Sequence, residues 1–276
     1  MIGAIQSEIR KIFTTKLWWG MGLGMAVLAF LMSMAAASLI GLTGPDGETT
    51  GFVEMSPAAA QFVYTFGLFG EFGSLTALFP LALGVLLITT EYRHKTATAT
   101  YLATPRRWVV AVAKTLSVVV VGAVLGVVHI IAAVAGGGLV LTVFKDAPLL
   151  LTDGEVLISF GTTIVATVVW ALIGFGFGML VRNQIAAVLI AVAFGFLGQF
   201  IANIAFAILG WTTAAKFIPG NLTTGMLVTA DPTGGAAEGA SDSYYFSWWL
   251  SALILIGYAA VLTVAGSVLS NRKDIT

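Results

Sequence analysis

No cysteine occurs in this 276-residue chain. That excludes disulfides, thiolate metal ligands and cysteine nucleophiles. Charge is almost as scarce. Only 9% of residues are charged, against about 25% in an ordinary soluble domain. No Gly-Lys pair occurs, so there is no phosphate-cradling loop of the Gly-x-x-x-x-Gly-Lys-Ser/Thr type. His-Glu-x-x-His and Gly-x-Ser-x-Gly are also missing, which removes the commonest zinc-protease and serine-hydrolase signatures. The two histidines, His94 and His129, fall on different apolar runs and cannot by themselves make a metal site. Catalysis by this chain alone is not expected.

Apolar sequence fills the space that charge leaves. Hydrophobic residues make up 58% of the chain, and mean hydropathy is +0.99. No segment is long and polar enough to form a separate aqueous domain, so the whole chain, 1–276, reads as one all-α integral membrane domain. A membrane helix needs about 20 apolar residues. Six runs qualify: 17–40, 67–90, 108–134, 156–181, 185–210 and 248–270. None shows the alternation of a membrane barrel strand. The first run, of about 24 residues, exceeds the 7–15 of a signal-peptide core and reads as a retained span.

The third run continues almost unbroken to Phe144, across Gly136-Gly137-Gly138. A hairpin there would add a seventh helix, and charge argues against it. With six spans, Arg10, Lys11, Lys16, Arg93, Lys95, Arg106, Arg107, Lys114, Arg182, Arg272 and Lys273 share one side, out of 13 Lys and Arg in all. Lys145 and Lys216 lie on the other side with most of the acids. The positive-inside rule makes the first side cytoplasmic, with both termini there. The triglycine is expected to loosen the outer end of the third helix and leave 139–144 at the outer interface.

Residues 1–16 are patterned. Ile2, Ile5, Ile9, Ile12 and Phe13 share one arc at helical spacing, while Ser7, Glu8, Arg10, Lys11 and Thr14 take the other. This predicts an amphipathic helix lying on the inner membrane face. Residues 42–61 read as an acidic outer loop. Residues 211–247 read as an external loop, and its apolar part, 217–228, can pack on the bundle. Four polar groups at membrane depth are candidates for a substrate path: Glu71, His129, and Gln199 with Asn203, four apart on one face. Intramembrane ionisable groups are costly and often functional, although structural hydrogen bonding would also account for them. Gly20/Gly24, Gly122/Gly126 and Gly174/Gly178 suggest close helix packing.

The densest polar stretch is EYRHKTATATYLATPRRW, residues 91–108. Thr104-Pro105 is a helix-start signal, and a short helix over 97–103 is expected between the second and third spans. On physics alone this could be an inner loop that is basic because inner loops are. The residues Glu91, Tyr92, Arg93, His94, Thr96, Leu102, Thr104, Pro105, Arg106 and Lys114, however, resemble the signature of bacterial type-2 ABC exporter permeases. There an acidic residue ends the second helix, a short cytoplasmic helix follows, and Pro-Arg opens the third with a Lys beyond. The leader resembles that family's connecting helix, Phe217-Ile218-Pro219-Gly220 its Pro-Gly element, and Asn271-Arg272-Lys273-Asp274 its terminus. Lys95 departs from the pattern, where many members carry glycine.

The resemblance implies that 91–107 is a cytoplasmic coupling segment docking on an ATPase, with Glu91, Arg93, Thr96, Tyr101, Leu102, Pro105 and Arg106 as its coupling residues. It implies two ABC ATPase subunits that hold ATP and Mg, no cofactor on this chain, a second permease (identical or homologous), the plasma membrane bilayer, and no nucleic acid. Drugs, lipids, peptides or antibiotics would all suit as cargo. A stand-alone secondary transporter, or a membrane anchor without transport, are the competing readings. The first would need coupling acids at the bilayer midplane, and none is visible.

Overall fold

The computed structural model describes residues 2–42, 52–69, 74–94, 107–181, 183–227 and 245–272. Among these the regular structure is all helical: α1 (Ile2–Thr14), α2 (Leu17–Leu39), α3 (Pro57–Thr65), α4 (Leu78–Arg93), α5 (Arg107–Phe144), α6 (Gly154–Leu180), α7 (Gln184–Ile208), α8 (Thr212–Ala215), α9 (Pro219–Leu227) and α10 (Trp248–Arg272). Six of these helices, α2, α4, α5, α6, α7 and α10, are long and apolar enough to cross a membrane. The chain is a multi-pass all-helical membrane protein.

Capping explains where several helices begin. Ser56 accepts a hydrogen bond from the Ala59 N–H at 3.2 Å, with Pro57 in the first turn of α3. Asp153 accepts from the Glu155 N–H at 2.9 Å, and Asn183 from the Ala186 N–H at 3.1 Å. Each satisfies a donor that the first turn leaves orphaned.

α6 is the central pillar. It packs against α4, α5 and α10, and α2 packs along α5. Trp170 and Ile173 of α6 meet Leu81 of α4, Leu222 and Met226 of α9, and Leu255 of α10 in the largest buried cluster. The α4–α6 crossing depends on two glycines. A Cβ on Gly84 would strike the Ala171 carbonyl, and one on Gly174 would strike the Leu81 carbonyl. Hydrogen at these sites lets the two backbones touch. Gly20 has no such neighbour, so Gly20/Gly24 is not a packing pair.

Several elements differ from the sequence reading. The triglycine does not loosen the third span. Residues 107–144 form one 38-residue helix, roughly 57 Å long at 1.5 Å per residue, well beyond a hydrocarbon core of about 30 Å. The glycines are contact points instead: Gly136 lies against the Phe30 backbone, and a Cβ on Gly137 would come within 2.5 Å of Ser33 Oγ. Packing against α2 offsets the helix propensity that glycine lacks. The second span does not run unbroken from Gly67. The chain passes through 3-10 turns at Phe66–Leu68 and Leu75–Ala77 before α4 begins. α3 occupies part of the stretch read as a loop up to residue 61. In 211–247, the apolar part folds as α9, whose residues Gly220 to Leu227 are all buried.

Candidate functional site

The charged residues of α1, α4 and α5 converge. Lys114 Nζ donates to Glu8 Oε2 at 3.1 Å and to Glu91 Oε1. Lys11 Nζ donates to Glu8 Oε1 at 2.7 Å and lies 3.8 Å from Glu91 Oε1. Two carboxylates and two ammonium groups therefore form one neutral cluster joining three helices. Neutrality is what makes it tolerable. The side chains of Glu8 and Lys114 are each 9% exposed, and an unpaired charge so placed would be expelled or neutralised. Arg93, two residues beyond Glu91, donates instead to Gln184 Oε1 at 3.2 Å and so ties α4 to the start of α7.

Glu8 is not where the arc of α1 put it. It faces the bundle beside Ile9 and Ile12, while Ile2 is 74% exposed. There Glu8 pairs with the buried Lys114 ammonium, which it shares with Glu91. The signal was present in the spacing: Glu8 stands three residues after Ile5 and four before Ile12, and so overlaps the apolar stripe. Lys11 and Lys114 also belong to the site, although neither is one of the coupling residues that the resemblance implies.

Beside this cluster lies a cavity of about 530 Å³. Its lining combines the charged or polar side chains of Glu8, Lys11, Glu91, His94 and Lys114 with the apolar ones of Ile12, Leu17, Leu86, Leu87, Val118 and Phe175. Glu91 Oε2 accepts no hydrogen bond. Among the described residues no three His, Asp or Glu side chains gather where a metal could sit.

The other candidates are scattered. His129 is buried in the middle of α5, where its Nε2 lies 3.3 Å from the Tyr64 carbonyl and its Nδ1 has no partner. Gln199 and Asn203 do share a face of α7 as their spacing implied. Asn203 Nδ2 donates to the Gln199 carbonyl at 3.1 Å, and Gln199 Nε2 donates to the Gly195 carbonyl at 2.7 Å. Here α7 widens into a π-helical turn, Phe194–Gly198. Asn221 on α9 completes this network, donating to Asn203 Oδ1 at 2.7 Å and to the Ala215 carbonyl at 2.9 Å. Sequence reasoning missed Asn221: the apolar character of 217–228 signals packing on the bundle, but not that this side chain meets Asn203. Neither His129 nor the Gln199 network shares residues with the charged cluster. Glu71 lies outside the described residues, as do Thr96, Tyr101, Leu102, Pro105, Arg106 and the helix expected over 97–103.

No protein-family model matches the chain, and no curated protein matches it either.

Proposed function

We propose that this chain is the membrane-spanning subunit of an ATP-driven ABC exporter, paired with a second permease and served by two separate ATPase subunits that bind ATP and Mg. One observation supports this most: Glu91 and Lys114, two members of the 91–114 signature, form an ion pair. They bracket the segment that the resemblance assigns to coupling. A segment anchored at both ends in this way can pass a push into α4 and α5 together instead of yielding like a slack loop. Glu8 adds α1 to the same joint.

In this reading the α1 end of the bundle faces the cytoplasm, and the membrane is the plasma membrane. ATP-driven closure of the ATPases presses on residues 95–106. The cluster makes α1, α4 and α5 respond as one body, and α6, packed against both α4 and α5, carries the motion onward. Motion of this kind changes access to a path between the two permeases. The polar groups His129, Gln199 and Asn203 are the candidates for that path within this chain. ATP chemistry belongs to the partner, so this subunit is a transporter component and not itself an enzyme.

The test is co-expression with ABC ATPases encoded in adjacent reading frames. The expected result is a complex that survives detergent purification and hydrolyses ATP, while the chain alone hydrolyses none. Robust hydrolysis by the chain alone, or no ATPase partner retained under any condition, would overturn the reading.

A further inference from the structure

We infer that the cavity between α1, α4 and α5 is a binding site for a phospholipid with a primary ammonium headgroup, of the ethanolamine type. The inference stands on the cavity and does not require the exporter reading.

Three observations carry it. First, the cavity has a mixed lining of charged and apolar side chains. Ile12, Leu17, Leu86, Val118 and Phe175 line it together with the charged side chains of the cluster. Its volume of about 530 Å³ suits part of an acyl chain with its head better than a small polar solute. Second, the charges of the cluster already balance. A purely anionic head would compete with Glu8 and Glu91 for the two lysines, and a purely cationic head would compete with the lysines for the two glutamates. A zwitterion can exchange partners one for one: its phosphate to Lys11, its ammonium to Glu91. Lys11 is the accessible member, with its side chain 45% exposed. Third, Glu91 carries a buried acceptor, Oε2, that no group among the described residues satisfies. A primary ammonium supplies N–H donors for it. A quaternary choline has none.

The location fits a lipid. The cavity lies where the amphipathic helix α1 meets α4 and α5, and Thr15 and Lys11 in its lining are both exposed.

The test uses the full chain, purified in mild detergent without any ATPase. It is offered ethanolamine, choline and glycerol phospholipids with identical acyl chains, and bound lipid is counted by native mass spectrometry. One ethanolamine lipid per chain should be retained at least tenfold more tightly than the choline or glycerol lipid. Leu86→Trp, which places an indole in the cavity wall, should abolish that retention, and Lys11→Gln should weaken it severalfold. Both variants should elute as monodisperse protein. Equal retention of all three headgroups would overturn the proposal, as would undiminished retention by a folded Leu86→Trp protein. If that variant does not fold, the headgroup ranking of the unmodified chain decides. Loss of lipid selectivity would leave the ATPase complex untouched, and absence of an ATPase would leave the lipid result untouched, so the two readings fail separately.

Discussion

Lys114 is the residue on which the charged cluster depends. It neutralises Glu8 and Glu91 together, so its removal leaves two carboxylates facing each other with only Lys11 between them. Breaking a buried pair by deleting one partner costs about 3–5 kcal/mol, whereas replacing all partners with neutral groups can cost little. Lys114→Met should therefore lower the melting temperature of the detergent-solubilised chain markedly. The triple change Glu8→Gln/Glu91→Gln/Lys114→Met should recover most of the loss. Thermal unfolding of the two proteins by intrinsic fluorescence checks this, and a triple variant no more stable than the single one would show that the cluster is not held by charge balance. His129 is a different case. Its Nε2 reaches the Tyr64 carbonyl, a contact that a packing residue would make as readily as a residue on the proposed path.

At the scale of elements, two joints matter. The α4–α6 crossing is set by Gly84 and Gly174, where each backbone meets the other's carbonyl. A carbonyl held in a helix cannot move aside as a flexible side chain can. Gly174→Ala should destabilise by about 1–3 kcal/mol, the usual cost of overpacking. Gly161→Ala on the same helix should be neutral or slightly stabilising, since nothing lies within 4 Å of its added Cβ and alanine is the better helix former. Unfolding midpoints for the pair measure the difference. The second joint belongs to the proposed exporter reading. If residues 97–103 dock on an ATPase, Tyr101 and Leu102 are the only large side chains available to anchor them. Tyr101→Asp/Leu102→Asp places charge in a dry contact at a cost of several kcal/mol. It should release the ATPases, or uncouple hydrolysis from transport, without hindering membrane insertion. Arg106→Ala should be milder, about 1 kcal/mol for a surface charge near lipid. Co-purification and transport by both variants separate a docking element from a basic loop.

For the molecule as a whole, burial is uneven. Just 22% of the apolar window of α7 and 17% of that of α10 are covered by the rest of the chain, against 56% for α4 and α6. The outward faces of α7 and α10 are therefore left to lipid or to another subunit. The proposed orientation rests on charge asymmetry. Because the chain has no cysteine, single cysteines at Ala99 and Ala236 give a clean topology test. An impermeant thiol reagent applied to intact cells should label position 236 and spare position 99. The reverse pattern would invert the six-span arrangement.

Sequence alone determined the membrane class, the count of six long apolar helices and much of their placement, because apolar run length is a one-dimensional property set by bilayer thickness. It also identified Glu91, Arg93, Lys114, Gln199 and Asn203 as polar groups worth explaining. Tertiary structure decided which of them meet. That Glu8 turns inward follows from the buried ammonium of Lys114, more than a hundred residues away in sequence. That Gly136 and Gly137 stay helical follows from their contact with α2, since glycine's own preference is to break a helix. That Asn221 joins Gln199 and Asn203 follows from α9 folding back into the bundle. In each case the deciding energy is a contact between distant segments; local pattern hints that Glu8 overlaps the apolar stripe and that 217–228 packs inward, but it does not name the partner.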